Sequence, residues 1–154
     1  MIDYTLNHGK GSLMKRVKEV CMLAGVSRRT LQYYDDTGVL PVERSDGNER
    51  LYSEEKLKKL SRILTYKRAG MKLEEIKDVI ELPDEKQVHA LREHIENLTG
   101  RKQEIEDQIK FIEFIIREGV PDFSDLNETA RINGITTFTE YLEQVMQEAC
   151  GGDE

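Results

Sequence analysis

The sequence predicts a mainly α protein, with a winged helix-turn-helix domain, a long coiled-coil dimerisation helix and a short helical C-terminal appendage. Three observations predict it. The run VCMLAGVSRRTLQYYDDTGVLPVERSDGNERLY, residues 20–52, reads as a helix, a tight turn, a helix rich in Arg and Tyr, and a short hairpin. From Val88 to Ile116, apolar residues recur at alternating steps of three and four. Charge is also divided along the chain. Residues 14–70 hold 13 Lys/Arg against 8 Asp/Glu and residues 71–154 hold 9 against 21, within a formal net of −7. A basic front and an acidic back suit a protein that presents one end to phosphates.

Residues 1–13 are polar, contain Gly9 and Gly11, and are expected to form a flexible arm or to be upstream sequence before a start at Met14. The winged domain is assigned to residues 14–82. Val17, Val20, Cys21 and Ala24 make the inward stripe of a first helix over about residues 16–24. Gly25 ends it, because Gly accepts the left-handed conformation of a tight turn. Ser27 is a good N-cap for a second helix reaching about Thr37, with Gly38 after it. Val39-Leu40-Pro41 and Arg50-Leu51-Tyr52 read as the two strands of a wing, joined by turn chemistry at residues 45–48. Ser53 caps a third helix that opens with Glu54 and Glu55 and buries Leu57, Leu60, Ile63 and Leu64. After Gly70 a fourth helix turns Leu73, Ile76, Val79 and Ile80 inward, and Pro83 closes the domain.

Residues 84–118 form the rod. Val88, Leu91, Ile95, Leu98, Ile105, Ile109, Ile112 and Ile116 fall on one heptad seam, broken only by Lys102. Gly100 weakens that helix by about 1 kcal/mol relative to Ala. At 1.5 Å per residue the rod is about 50 Å long. No other segment is long enough to cover the seam, so a second copy is the expected partner. Residues 120–154 suggest two short helices, about 124–133 and 137–149, the second opened by a Thr137/Glu140 capping box. Phe138, Tyr141 and Leu142, with Phe111, Phe114 and Phe123, could line a small effector pocket. The preferred alternative is a helical pair that packs on the rod of the other subunit.

Several function classes are excluded or disfavoured. No stretch approaches the roughly 20 apolar residues of a membrane span, and the N-terminus lacks a signal-peptide core. With two distant cysteines, Cys21 and Cys150, a cytoplasmic, nucleoid-associated protein is expected. Cys21 reads as a core residue and Cys150 as a tail residue. His89 and His94 are five apart and share no helix face, so neither a metal nor any other cofactor is expected. No Gly-rich phosphate loop or nucleophile–base set points to an enzyme. What does stand out is the second helix, which offers Arg28, Arg29, Gln32 and Tyr33 on sides not needed for the core. Arg and Gln suit guanine and adenine edges and a Tyr hydroxyl suits phosphate. Arg44 and Arg50 on the wing, with Lys67 and Arg68 on the third helix, add positive charge. A phage or plasmid architectural or excision protein with the same winged fold is the competing reading; the rod and appendage favour a regulator.

The segments EVCMLAGVSRRTLQYYDDTGVL and RLYSEEKLKKLSRILTYKRAGMKLEEI, followed by the long helix, resemble the MerR family of bacterial transcription regulators over about residues 15–118. The wording around Arg29-Thr30-Leu31 and from Lys67 to Ile76 is most similar to the branch that senses multiple drugs and antibiotics. The resemblance implies a homodimer joined by an antiparallel coiled coil. It implies a promoter operator that is bent and untwisted so that RNA polymerase can use it, and a small-molecule effector. By motif position it places Ser27, Arg28, Arg29, Thr30, Gln32 and Tyr33 in the major groove, Arg44 and Arg50 on the wing, and Tyr52 and Lys67 at the phosphate backbone. Three positions depart from the family pattern. Gln32 stands where Arg is usual, Asn48-Glu49-Arg50 replaces Gly-Tyr-Arg, and Lys72 replaces the usual cap of the fourth helix.

Overall fold

The structure, a computed structural model, describes residues 14–152. The arm expected over residues 1–13 lies outside the described residues. Two compact units divide the chain, one closing at Leu91 and the other beginning at Arg92.

The first unit is built on a small antiparallel sheet and helices packed over it. Strand β1(Lys15–Arg16) leads into α1(Val17–Ala24), then α2(Arg28–Asp36), β2(Glu43–Arg44), β3(Arg50–Tyr52), α3(Glu54–Arg68) and α4(Leu73–Val79). The sheet order is β1-β3-β2, with Lys15 opposite Tyr52 and Arg44 opposite Arg50. Gly25, at φ 68°, ends α1, and its N–H reaches the Cys21 carbonyl at 2.9 Å. Ser27 caps α2 by accepting the Thr30 N–H at 3.1 Å, and Ser53 caps α3 by accepting the Lys56 N–H at 3.2 Å. Lys72 supplies no such side chain for α4; instead the Glu75 carboxylate accepts the Lys72 N–H at 2.7 Å. Val20, Leu31, Tyr34, Val39, Leu40, Tyr52, Leu60, Ile63 and Ile76 make one core.

The wing differs from the expectation in one respect. Val39 and Leu40 are not a strand but a buried loop, and the outer strand lies at Glu43–Arg44. The Leu40 N–H is used by the Tyr34 carbonyl at 2.9 Å, closing the end of α2, and Pro41 has no N–H to give a ladder. Pairing therefore starts only beyond Val42. The turn follows the sequence reading. Asn48 takes φ 61°, and its N–H bonds the Ser45 carbonyl at 2.9 Å.

Helix α5(Asp84–Glu118) matches the expected rod residue for residue. Its first turns belong to the first unit, where Gln87 is 3% exposed. The Gln87 amide donates to the carbonyls of Ile80 at 3.2 Å and Leu82 at 2.7 Å. Its oxygen accepts the Tyr66 hydroxyl at 2.6 Å and the Arg62 guanidinium at 3.3 Å. One side chain thus joins α3, the turn after α4, and α5.

In the second unit, the remainder of α5 is followed by a single 3-10 turn (Phe123–Asp125), α6(Glu128–Ile132) and α7(Phe138–Cys150). The capping box is formed: Glu140 N–H donates to Thr137 Oγ1 at 3.2 Å and the Glu140 carboxylate accepts the Thr137 N–H at 3.0 Å. The Thr136 N–H first, and then the Thr137 N–H, lower the Glu140 carboxyl below its ordinary value. Val145 is buried, and the Cys150 thiol donates to the Asp107 carbonyl at 3.6 Å. Desolvation first, and then Asp107, raise that thiol above its ordinary value, so Cys150 favours the unreactive protonated form.

Replacing Gln87 by Leu leaves the buried Ile80 carbonyl, the part-buried Leu82 carbonyl and the part-buried Tyr66 hydroxyl without this partner. The expected cost is about 1–3 kcal/mol in urea unfolding; an unchanged midpoint would remove Gln87 from its place as the joint.

Candidate nucleic-acid interface

The placement of α2 follows from its sequence. Leu31 and Tyr34 are three apart and both are buried, so they fix the inward face. Arg28, Arg29, Gln32 and Tyr33 are consequently left exposed, as their types had suggested. Ser27 and Thr30 stand at the helix start, their hydroxyls 3.0 Å apart, with Thr30 half-buried. Lys67, exposed at the end of α3, faces the same side. It shares with Ser27, Arg29, Thr30, Tyr33 and Leu73 a groove of about 470 Å³.

The wing arginines are arranged differently from the expectation. Both turn to Asp35, near the end of α2. Arg50 Nε donates to Asp35 Oδ2 at 2.8 Å, and Arg44 Nη2 reaches the same oxygen at 3.4 Å. The other Asp35 oxygen accepts the Val42 N–H at 3.4 Å. Arg50 also lies 3.8 Å from Asp36, and Arg44 donates to the Asn48 carbonyl at 3.3 Å. Glu49 pairs with Arg16 at 3.7 Å, both of them exposed. In the sequence Asp35 is one of two adjacent carboxylates at the end of α2, which read as a solvated acidic pair. The available signal was that two arginines follow it at hairpin positions.

Tyr52 corrects the sequence reading outright. It is 0% exposed and belongs to the core, so its hydroxyl does not reach the surface. Strand alternation explains this, since Arg50 and Tyr52 share one face of β3, and the Tyr52 end of that face lies beneath the helices. Among the described residues the Tyr52 hydroxyl has no hydrogen-bond partner. Burial raises both Tyr34 and Tyr52 above the ordinary phenol value, and both remain neutral.

The seam lies open on the single chain. Val88, Ile95, Leu98, Ile105, Ile109, Ile112 and Ile116 range from 40% exposed at Leu98 to 79% at Ile116. Leu91 is half-buried and packs on the core of the first unit. Lys102 interrupts the seam with an ion pair to Glu106 at 3.5 Å. Of the proposed effector residues, Phe123 and Phe138 have ring centroids 4.7 Å apart, and Phe138 and Tyr141 are 6.2 Å apart. Phe111 and Phe114 stack on each other at 6.5 Å, and Leu142 is half-buried on α7. Among the described residues no three His, Cys, Asp or Glu side chains gather as a metal site, and no helix is long and apolar enough to cross a membrane.

Residues 15–82 match the MerR HTH family of regulatory proteins, and residues 57–118 match the MerR DNA-binding family. The HTH-type transcriptional activator Mta of Bacillus subtilis is 37% identical over 64% of this chain and 38% of its own length. The HTH-type transcriptional activator TipA of Streptomyces coelicolor is 40% identical over 51% of this chain and 32% of its own. The chain thus spans about a third of the length of these curated relatives. The crystal structure of MtaN, the N-terminus of the Bacillus subtilis multidrug transporter activator, superposes with a TM-score of 0.62 at 35% identity. It covers 66% of this chain and 97% of MtaN.

Tyr52→Phe removes only a buried, unpartnered hydroxyl. Thermal melting is expected to show equal or higher stability and DNA binding to be unchanged. A tenfold loss of DNA affinity would put that hydroxyl back at the duplex.

Proposed function

The chain belongs to the MerR family of DNA-binding helix-turn-helix regulators, and we propose that it acts as a homodimeric, sequence-specific transcription regulator that bends and untwists promoter DNA in response to a small-molecule effector. The observation that carries this reading is the outward face of α2. It holds two arginines, a glutamine and a tyrosine on a helix locked from behind by Leu31 and Tyr34. Arg28, Arg29 and Gln32 are assigned to base edges in the major groove. Ser27, Thr30, Tyr33 and Lys67 are assigned to the edge of that groove and the phosphates beside it, and Arg44 to the phosphates reached by the wing. The two curated relatives are named as transcriptional activators, which supports a promoter as the partner.

The dimer reading is supported by the open seam of α5. Leaving a row of Leu, Ile and Val in water forgoes about 25 cal/mol for each Å² that a second copy would cover. A dimer would also set a fixed distance between two reading helices, as a near-palindromic site requires. Bending a site of that length costs about 1–6 kcal/mol, within the range that a bound effector supplies through differential affinity. Phe111, Phe114, Phe123, Phe138, Tyr141 and Leu142 are the residues assigned to that effector. RNA polymerase is the indirect partner at the promoter.

Arg29→Ala is expected to weaken binding to a DNA duplex selected by the wild-type protein by about 1–3 kcal/mol while leaving the dimer intact. Unchanged affinity at moderate salt would remove α2 from the groove. Ile105→Asp buries a charge in the seam and is expected to sediment as a monomer; a persistent dimer would show that the chains associate elsewhere.

A further inference from the structure

The two wing arginines share one carboxylate, and their contacts with it are unequal. Arg50 meets Asp35 at 2.8 Å, the length of a full charge-assisted hydrogen bond. Its side chain is only 19% exposed and has a second acidic neighbour, Asp36, at 3.8 Å. Arg44 meets Asp35 at 3.4 Å, beyond the usual length for such a bond, and its side chain is 39% exposed. The Val42 N–H bonds the same carboxylate and brings the root of the hairpin to it. Asp35 itself is on the helix assigned to DNA, where an unneutralised carboxylate would repel phosphate.

We propose that Asp35 is a positioning residue for DNA recognition, binding Arg50 as a fixed strut between recognition helix and wing and holding Arg44 loosely, so that Arg44 alone transfers to a backbone phosphate. This rests on the DNA-reading function proposed above. The strut neutralises the carboxylate and sets the angle between α2 and the hairpin. Only a duplex whose groove and phosphates match that angle meets helix and wing together, so Asp35 contributes to sequence discrimination without touching a base. Arg44 exchanges one anion for another and keeps its charge paired throughout. Asp36, with its side chain 60% exposed, is in the solvent at the same helix end and is the only other acidic group within ion-pair distance of either arginine among the described contacts.

The test uses the full chain and two duplexes: one selected by the wild-type protein from a random-sequence pool, and the unselected pool. Asp35→Asn keeps the shape and removes the charge. It is expected to lower affinity for the selected duplex on the order of tenfold, the worth of one charged hydrogen bond, while affinity for the pool is unchanged or higher. Asp35→Glu, which keeps the charge, is expected to recover part of the loss. Arg44→Ala is expected to reduce the slope of log affinity against log salt by about 0.9, one phosphate contact, and Arg50→Ala to reduce discrimination with the slope unchanged. A parallel loss on both duplexes with a lowered melting temperature would make Asp35 merely structural and overturn the proposal. Equal slope changes for the two arginines would overturn the division between them. A wild-type chain that selects no duplex would overturn the regulator reading as well, which separates the two failures.

Discussion

Burial of Leu31 and Tyr34 is the constraint on which the rest of the DNA-binding unit depends. A helix of nine residues is too short to be stable alone. It is held because its apolar pair enters a core with Val20, Leu40, Tyr52 and Ile63. Once that pair is fixed, helical geometry allows no choice for its neighbours, and Arg28, Arg29, Gln32 and Tyr33 must face outward. The same core orients the hairpin, since Tyr52 anchors β3 from beneath while Asp35 ties its Arg50 end to α2. Function in this unit follows from packing on the opposite side of a short helix.

Much of the fold could be read in the sequence because its signals are local. Ser27, Ser53 and Thr137 cap the helices they were expected to cap, and the apolar stripes of α1 and α3 face the core. The heptad pattern from Val88 to Ile116 marks the body of α5, and Pro83 and Gly119 bracket its ends. What was not legible depends on contacts distant in sequence. Strand β1 is two charged residues with no alternation to detect, and it forms because β3 lies alongside. The shift of β2 to Glu43–Arg44 follows from how α2 ends, since that end takes the Leu40 N–H. Gln87 reads as an ordinary polar residue of a long helix until α3 and the Ile80–Leu82 turn are placed around it.

The candidate site divides in the same way. The outward positions of α2 are legible because amphipathic patterning separates inner from outer residues. Tyr52 is ambiguous in the sequence, because an aromatic next to a basic wing fits either a phosphate contact or a core position, and only the sheet decides. Arg50 carries the charge that was expected, but Asp35 holds it. The acidic second half of the chain is consistent with this arrangement. Most of its carboxylates lie on the rod and appendage, for which no phosphate contact is proposed, while Glu74, Glu75, Asp78 and Glu81 lie on α4 and the turn after it.

The central claim is that two outward α2 faces, held at a fixed separation by the paired seam, read one duplex together. Hydroxyl-radical footprinting of the full chain on a duplex it selects tests this most directly. The account predicts two protected segments related by a dyad, each spanning a major groove and lost together at high salt. A single protected segment, or uniform protection along the duplex, would contradict it.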